Sequence, residues 1–269
     1  MAADWLSDEQ LVFFRTHGYL VVPGFLSACE LAMYRAESET LVNHCYEYGG
    51  DLVAHWGCVV EPLGCGFFPD SQITAGVKAD RDKYSDLRTQ LSPHDLVRCT
   101  LDKFGCCAQQ LLRSVDPATD SSIFLLNEQY IVKPPHSDAQ FAWHQDILYF
   151  EPEEQSHAIV SVWTPIDDVS LENGTVWVDP FPDPDRPGEY TRTRGTAFNS
   201  ELANDGDPVF AAEMAAGSAL FMDGRLRHCS TGNSSNRFRT VYMPQFSLGR
   251  IERASTGEST AFAIPVSAQ

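Results

Sequence analysis

A mainly β protein, built as a double-sheet jelly roll with flanking helices, is the fold class the sequence predicts. Helix signals occupy the chain up to Val115, and from Ile123 onward at least six short β-prone runs follow one another between turn residues. No internal repeat, low-complexity tract or Gly/Ser linker interrupts the chain, which therefore reads as one domain over residues 1–269.

The elements follow in order. Ser7 with Gln10 forms a capping-box pattern, His17-Gly18 stops the helix it begins, and Tyr19 to Val22 is a short apolar strand turned by Pro23-Gly24. Ser27 with Glu30 repeats the capping box and starts a helix to about Val42, with Leu31, Tyr34 and Leu41 among its apolar positions. The region 49–92, rich in Gly, Pro and Asp, predicts long loops of the kind that lid a site. Leu96 to Val115 reads as a helix. The β-prone runs are Ile123 to Val132, Phe141 to Phe150, Ala158 to Pro165, Thr175 to Val178, Ser218 to Met222 and Arg239 to Leu248.

A chain of 269 residues with 43% hydrophobic content can bury a large core. Its 19 basic residues against 37 acidic ones give a formal charge of −18, which repels nucleic acid and anionic membranes and excludes both as expected partners. The opening MAADWLSDEQ is acidic, no signal-like apolar run follows it, and nothing approaches the roughly 18 apolar residues of a membrane span. A soluble, cytoplasmic protein is expected. The eight cysteines include no Cys-x-x-Cys pair and read as mostly buried thiols. Cys229 stands beside His228, within reach of oxidation by misdirected metal chemistry.

The chemistry begins in Phe141-Ala142-Trp143-His144-Gln145-Asp146-Ile147-Leu148-Tyr149-Phe150. In a strand, side chains two apart share a face, so His144 and Asp146 project together. One imidazole and one carboxylate form two-thirds of a facial metal site; a histidine from a distant strand would complete the two-His, one-carboxylate set that binds Fe(II) and leaves positions open for reactants. His-x-Asp alone is weak, because a core histidine paired to an aspartate has the same spacing. A second copy, His136-Ser137-Asp138, follows Pro134-Pro135 in a polar loop where alternation does not hold.

A distal histidine is available at His228, after a strand and a turn in Gly217 to His228. Eleven residues on, Arg239 opens the apolar run that continues Thr240-Val241-Tyr242-Met243. An arginine there is costly unless its planar guanidinium meets an anion, and it suits a carboxylate; a core Asp or Glu, or an edge-strand surface position, is the alternative. Asn127 and Gln129 share one face of their strand and need buried partners, either a ligand or neighbouring backbone. Trp163 either walls a pocket or fills the core. Lys133, before Pro134-Pro135, is either a surface residue or, pointing inward, a contact for an anionic substrate; Arg225, Arg227 and Arg237 are further candidates for a local basic pocket.

His-x-Asp, a distal His about eighty residues later and an Arg eleven beyond it together resemble the phytanoyl-CoA dioxygenase family. Gly18-Tyr19-Leu20-Val21-Val22-Pro23-Gly24-Phe25-Leu26-Ser27 is similar to that family's N-terminal signature. Trp163-Thr164-Pro165-Ile166-Asp167-Asp168, followed by Glu172-Asn173-Gly174, resembles its central segment, and Asp223-Gly224 before His228 is also typical. The resemblance runs from about residue 7 to about residue 248. It implies a distorted double-stranded β-helix, a cupin-like jelly roll. It also implies Fe(II) held by His144, Asp146 and His228, with 2-oxoglutarate and O2 as co-substrates. Arg239 would grip the far carboxylate of 2-oxoglutarate, aided by Ser230. The implied reaction is hydroxylation of an unactivated C–H bond of a small molecule, with release of succinate and CO2.

One departure from the family lies at Asn173-Gly174-Thr175-Val176-Trp177-Val178-Asp179-Pro180-Phe181-Pro182-Asp183, where a Pro- and Asp-rich stretch replaces the usual Pro-Gly-Ser-His. An Fe-dependent halogenase needs the carboxylate ligand's place for chloride, and Asp146 argues against it. Two rivals from other classes are a non-catalytic jelly-roll protein that binds a small ligand, and a cupin-type metalloenzyme that does not use 2-oxoglutarate. A full ligand set together with Arg239 disfavours both.

Overall fold

The computed structural model describes residues 5–117, 122–152, 154–181, 210–252, 256–257 and 261–266. Helix α1 (Asp8–His17) begins at Ser7, whose hydroxyl accepts from the Gln10 N–H while Gln10 returns a bond to the Ser7 N–H, and ends at Gly18 in the left-handed region, φ 75°. Strand β1 (Tyr19–Val22) follows, and then α2 (Ala28–Glu47), which carries the same reciprocal cap at Ser27 and Glu30. The helix runs a turn past the expected end near Val42, because Cys45 still has a buried face to fill.

The region expected to be loops contains β2 (Val59–Val60), a 3₁₀ turn at Asp70–Gln72 and α3 (Arg81–Arg88). Helix α3 is capped by the Asp80 carboxylate, which accepts from the Asp82 and Lys83 N–H groups, and it buries Tyr84, Leu87 and Arg88 on one face. So polar a helix does not announce itself in an apolar pattern. The predicted helix from Leu96 comprises α4 (His94–Arg98), a π-helical turn at Cys99–Phe104 and α5 (Gly105–Val115). Gly105 lets this rod pass Val266, since a β-carbon there would lie 2.4 Å from the Val266 Cγ1.

The remaining strands are β3 (Ile123–Lys133), β4 (Phe141–His144), β5 (Ile159–Pro165), β6 (Val176–Asp179), β7 (Phe210–Ala211), β8 (Ala219–Asp223), β9 (Arg227–Ser230), β10 (Arg239–Leu248) and β11 (Ile264–Pro265). They form two antiparallel sheets: a large one in the order β1-β8-β5-β10-β3-β11, with β2 also on β3, and a small one in the order β4-β9-β6-β7. This is the expected jelly roll, with the helices on the outer face of the large sheet. The Pro- and Asp-rich stretch after β6 lies outside the described residues from 182 on.

Period-two alternation divides the large sheet between its two faces. On β10, Tyr242 and Phe246 join Phe104, Leu111 and Leu112 in the core under the helices. Val241 and Met243 turn the other way, to meet Trp163 and the Val176 and Val178 of the small sheet. The helix-side core holds one buried charge network. Arg88 bonds Glu37 at 2.6 Å and Glu128 at 2.7 Å, and Tyr84, Tyr130 and Tyr242 each donate to one of the two carboxylates. Burial alone would raise the Glu37 carboxyl, but the Arg88 guanidinium overrides it and holds it below the usual range. The network ties α2 and α3 to β3 and β10, and so fixes the outer face of the sheet whose inner face carries the site. No helix among the described residues is long and apolar enough to cross a membrane.

Candidate active site

Three ligand-type side chains meet where the small sheet faces the large one. His144 ends β4 and His228 lies directly opposite it on β9, with ring centroids 4.2 Å apart. Each ring is oriented by its own chain: Nδ1 of His144 bonds the Ala142 carbonyl at 2.6 Å, and Nδ1 of His228 bonds the Leu226 carbonyl at 3.0 Å. With Nδ1–H as donor in both, each Nε2 keeps a lone pair for a metal. Burial first, and then the neighbouring His228, push His144 down to about 4, so it is neutral, as a ligand must be.

Phe141–Phe150 is not the continuous strand the sequence predicts. The ladder stops at His144, and Asp146–Tyr149 forms a 3₁₀ turn. The Ile147 N–H leaves the sheet to bond the Gly224 carbonyl at 2.9 Å, and its side chain packs with Leu126, Ile159 and Ile251. Gln145 is still extended, at φ −124° and ψ 133°, so the two-residue alternation survives just far enough to bring Asp146 round to His144. Asp146 Oδ1 is 3.7 Å from Nε2 of His144 and 3.6 Å from Nε2 of His228, and the three ligand atoms lie within 4.8 Å of one another. Oδ2 is held by the Ser161 hydroxyl. Two imidazoles that present Nε2 and a buried aspartate side chain, grouped with no Lys or Arg among them, are a donor set that suits Fe(II).

These residues line one side of a cavity of about 540 Å³ between the sheets. On the opposite wall stands Arg239, fully buried, with one long bond of 3.4 Å from Nη1 to the Ile131 carbonyl and, among the described residues, no partner for Nε or Nη2. Burial lowers its pKa to about 10. Leaving a buried guanidinium so poorly served costs stability unless an anion completes it. Among the described residues no core Asp or Glu pairs with it, and it is not on a surface edge: β10 is central, flanked by β3 and β5. Trp163 walls the cavity with its ring 5.7 Å from the guanidinium carbon, and Ser230 of β9 lines the same cavity. Both the empty arginine and the donor set fit 2-oxoglutarate and a metal in one cavity.

Asn127 and Gln129 also line the cavity, and their partners are side chains, not backbone. Asn127 Nδ2 reaches Gln129 Oε1 and Gln245 Oε1, each at 3.4 Å, and Gln245 Nε2 donates to Ser161 Oγ at 2.9 Å. Asp146, Ser161, Gln245, Asn127 and Gln129 are therefore one chain of hydrogen bonds, whose direction is set by the acceptor-only carboxylate at its end. Ser161 and Gln245 escaped the sequence reading. The signal was present: Ser161 shares a face of β5 with Trp163, and Gln245 shares a face of β10 with Arg239. Val59, Glu61 and Lys78 reach the same cavity from the 49–92 region.

The remaining candidates separate cleanly. Lys133 is not a surface residue but fully buried next to Ser230. Arg225 pairs with Asp223 and Arg227 with Asp179, while Arg237 is exposed, so none of the three builds a basic pocket. His136 is exposed and bonds Asn236 at 2.8 Å, away from the cavity. Cys229 is buried on the cavity wall, its thiol pushed up to about 12 by burial, so it stays protonated.

The family model for phytanoyl-CoA dioxygenase (PhyH) matches residues 14–241. The peroxisomal phytanoyl-CoA dioxygenase of Bos taurus is 27% identical over 252 residues, covering 90% of this chain and 68% of its own. A phytanoyl-CoA dioxygenase of Arabidopsis thaliana is 24% identical over 264 residues, covering 88% of this chain and 87% of its own. Among solved structures, EctD from S. alaskensis, crystallised with 2-oxoglutarate and 5-hydroxyectoine, superposes with a TM-score of 0.61 at 17% identity over 97% of this chain and 89% of that one. EvdO2 from Micromonospora carbonacea var. aurantiaca, complexed with 2-oxoglutarate, gives 0.57 at 21% identity, covering 94% of this chain and 96% of that one.

The family match runs from the first helix to the strand that carries the buried arginine, and the metal-ready cluster lies inside it. The class is thus defined: a 2-oxoglutarate-dependent non-haem iron dioxygenase with a jelly-roll fold. Within that class, the chain belongs to the phytanoyl-CoA dioxygenase family.

Proposed function

We propose that the protein, acting as one domain in the cytoplasm, hydroxylates an unactivated C–H bond of a small organic molecule or natural-product intermediate. The observation that carries this reading is the buried guanidinium of Arg239, two of whose nitrogens have no partner among the described residues, in the same cavity as His144, Asp146 and His228. Eight free thiols suit a reducing compartment. The structural neighbours SnoK and SnoN, a carbocyclase and an epimerase of nogalamycin biosynthesis by their titles, support small-molecule chemistry in this fold.

In this reading His144, Asp146 and His228 hold the metal, and Arg239 with Ser230 holds the far carboxylate of 2-oxoglutarate beneath Trp163. Bound Fe(II) supplies oxygen activation, so that 2-oxoglutarate, O2 and substrate become succinate, CO2 and hydroxylated product. The protein's own residues do the positioning. Ser161 keeps one carboxylate oxygen of Asp146 occupied, leaving the other free for the metal. The amides of Asn127, Gln129 and Gln245 present polar contacts to the substrate, and their shared chain of hydrogen bonds to Asp146 holds that wall in register with the metal. The 49–92 region, which brings Val59, Glu61 and Lys78 to the cavity, is the lid that excludes water.

The test is succinate formation. Purified protein given Fe(II), 2-oxoglutarate and air should form succinate slowly without substrate, and faster when a true substrate is added, with product gaining one oxygen atom. His228→Ala should form none. Iron-loaded native protein that makes no succinate under any condition contradicts the proposal.

A further inference from the structure

The cavity carries an acid that neither the metal set nor the arginine end uses. Glu61 follows β2 directly, and β2 pairs with β3 through Val59 opposite Ile131 and Val60 opposite Tyr130, which brings Glu61 level with Gln129. Strand β11 joins the same edge of β3 further along, with Ile264 opposite Leu125. Between these two ladders, at Asn127 and Gln129, no strand covers that edge among the described residues. Glu61, Lys78 and Phe262 line the cavity from this gap: the Phe262 N–H bonds the Leu126 carbonyl at 3.0 Å, and the Ala263 N–H bonds the Lys78 carbonyl at 2.7 Å.

The chain of hydrogen bonds that begins at Asp146 crosses the sheet from Ser161 on β5, through Gln245 on β10, to Asn127 and Gln129 on β3. Glu61 stands one strand beyond its last amide. With strands about 4.8 Å apart and about 3.4 Å per residue, Glu61 lies about 10 Å across the sheet from Gln245 and about 13 Å along it from the Lys133–Arg239 pair. The acid is thus remote from the arginine. Among the described residues its carboxylate accepts no hydrogen bond and forms no ion pair; Lys78, exposed to solvent, acts on it only through space. Burial first, and the Glu128 charge second, raise the Glu61 carboxyl, and Lys78 offsets them only in part. The local backbone makes room for this side chain. The Glu61 carbonyl accepts from the Gly64 and Cys65 N–H groups at 3.0 Å each, which folds the chain back over it, and a β-carbon at Gly64 would collide with Oε2.

We propose that Glu61 selects the substrate, and that the substrate is a small molecule bearing a protonated amine whose N–H groups donate to the Glu61 carboxylate. The inference rests on the reading that this cavity hydroxylates a small molecule, and it names the chemical class of that molecule. A carboxylate only accepts, so it needs a donor. A hydroxyl would donate yet leave the charge unmatched, and an anion would be repelled. An ammonium supplies both donor and opposite charge, and such charge-assisted bonds are about twice as strong as neutral ones. Tyr149, Phe150 and Phe262 line the cavity and give the carbon skeleton an apolar wall. An ammonium fixed at Glu61, with the amides of Gln129 and Asn127 between it and the metal set, decides which carbon of the skeleton is presented to His144, Asp146 and His228. The competing explanation is structural: Glu61 answers the charge of Lys78 and holds the 49–92 region in place.

The test is anaerobic calorimetry at neutral pH with two probes of one carbon skeleton, pentylamine and pentanol, on protein saturated with Fe(II) and 2-oxoglutarate and again on the empty protein. Native protein should bind pentylamine at least about tenfold more tightly than pentanol. Glu61→Gln, which keeps the shape and loses the charge, should bind the two about equally, and Lys78→Met should keep the preference for the amine. Native protein that binds pentylamine no better than pentanol overturns the proposal, and so does a preference that survives in Glu61→Gln. A preference lost in Lys78→Met makes Glu61 half of a structural pair and overturns it as well. An amine preference that depends on Glu61, in a protein that binds no 2-oxoglutarate, would support the amine site and remove the co-substrate reading alone.

Discussion

An Asp146→Ala protein should fold, retain both histidines in place and lose Fe(II) and all measurable turnover. Changes one shell away from a metal already cost about 10–100-fold in affinity, so removal of the only anionic ligand should cost more than about 100-fold. Asp146 is 3% exposed, and its two oxygens have different partners: Oδ1 faces the two Nε2 atoms, and Oδ2 accepts from Ser161. Without the carboxylate, Ser161 loses its acceptor, and the amides of Gln245 and Asn127 lose the group that orients them. The measurement is thermal unfolding with and without Fe(II) under anaerobic conditions. A ligand that binds only the folded state raises its stability, so iron should shift the native midpoint and leave Asp146→Ala unmoved. A variant still stabilised by iron would show that the metal is held elsewhere.

Arg239→Met should produce opposite changes in function and stability. Truncating one partner of a buried charged hydrogen bond costs about 2–5 kcal/mol of binding, and each 1.4 kcal/mol is about tenfold. The 2-oxoglutarate dissociation constant should therefore rise by roughly 30-fold to several thousandfold. The empty protein should become more stable, by about 1–3 kcal/mol, because two buried donors without partners are replaced by an apolar chain of similar length. Denaturant unfolding of the apo-protein and calorimetry of 2-oxoglutarate check the two halves together. Loss of stability with unchanged binding would make Arg239 a structural residue.

The parts of this molecule legible in the sequence are those whose cause is local. Ser7 with Gln10 and Ser27 with Glu30 announce their helices because both halves of each cap lie within one turn. His144 and Asp146 could be placed together because a single extended residue, Gln145, separates them. The end of β4 could not be read, since it depends on the Gly224 carbonyl and on packing around Ile147, both supplied by distant segments. Helix α3 was hidden for a similar reason: its buried face is Tyr84, Leu87 and Arg88, and an arginine reads as a surface residue until Glu37 and Glu128 are seen beside it.

In the cavity the same distinction holds. Arg239 could be singled out from sequence because a charge within an apolar strand demands an anion. Lys133 sits before two prolines, where loop and buried strand end look alike, and only the Arg239 pairing shows that it faces inward. Ser161 and Gln245 carry no charge to draw attention, and they become informative only when β5 and β10 place them on either side of one hydrogen bond.

The central claim is that one cavity holds a metal at His144, Asp146 and His228 and 2-oxoglutarate between that metal and Arg239. It is tested most directly by titrating 2-oxoglutarate into anaerobic, Fe(II)-loaded protein and recording the weak visible charge-transfer band of the iron–keto-acid chelate. The band should saturate at one 2-oxoglutarate per iron, be absent in His144→Ala, and require far more 2-oxoglutarate in Arg239→Met. Native protein that binds iron yet shows no band at saturating 2-oxoglutarate would contradict the account.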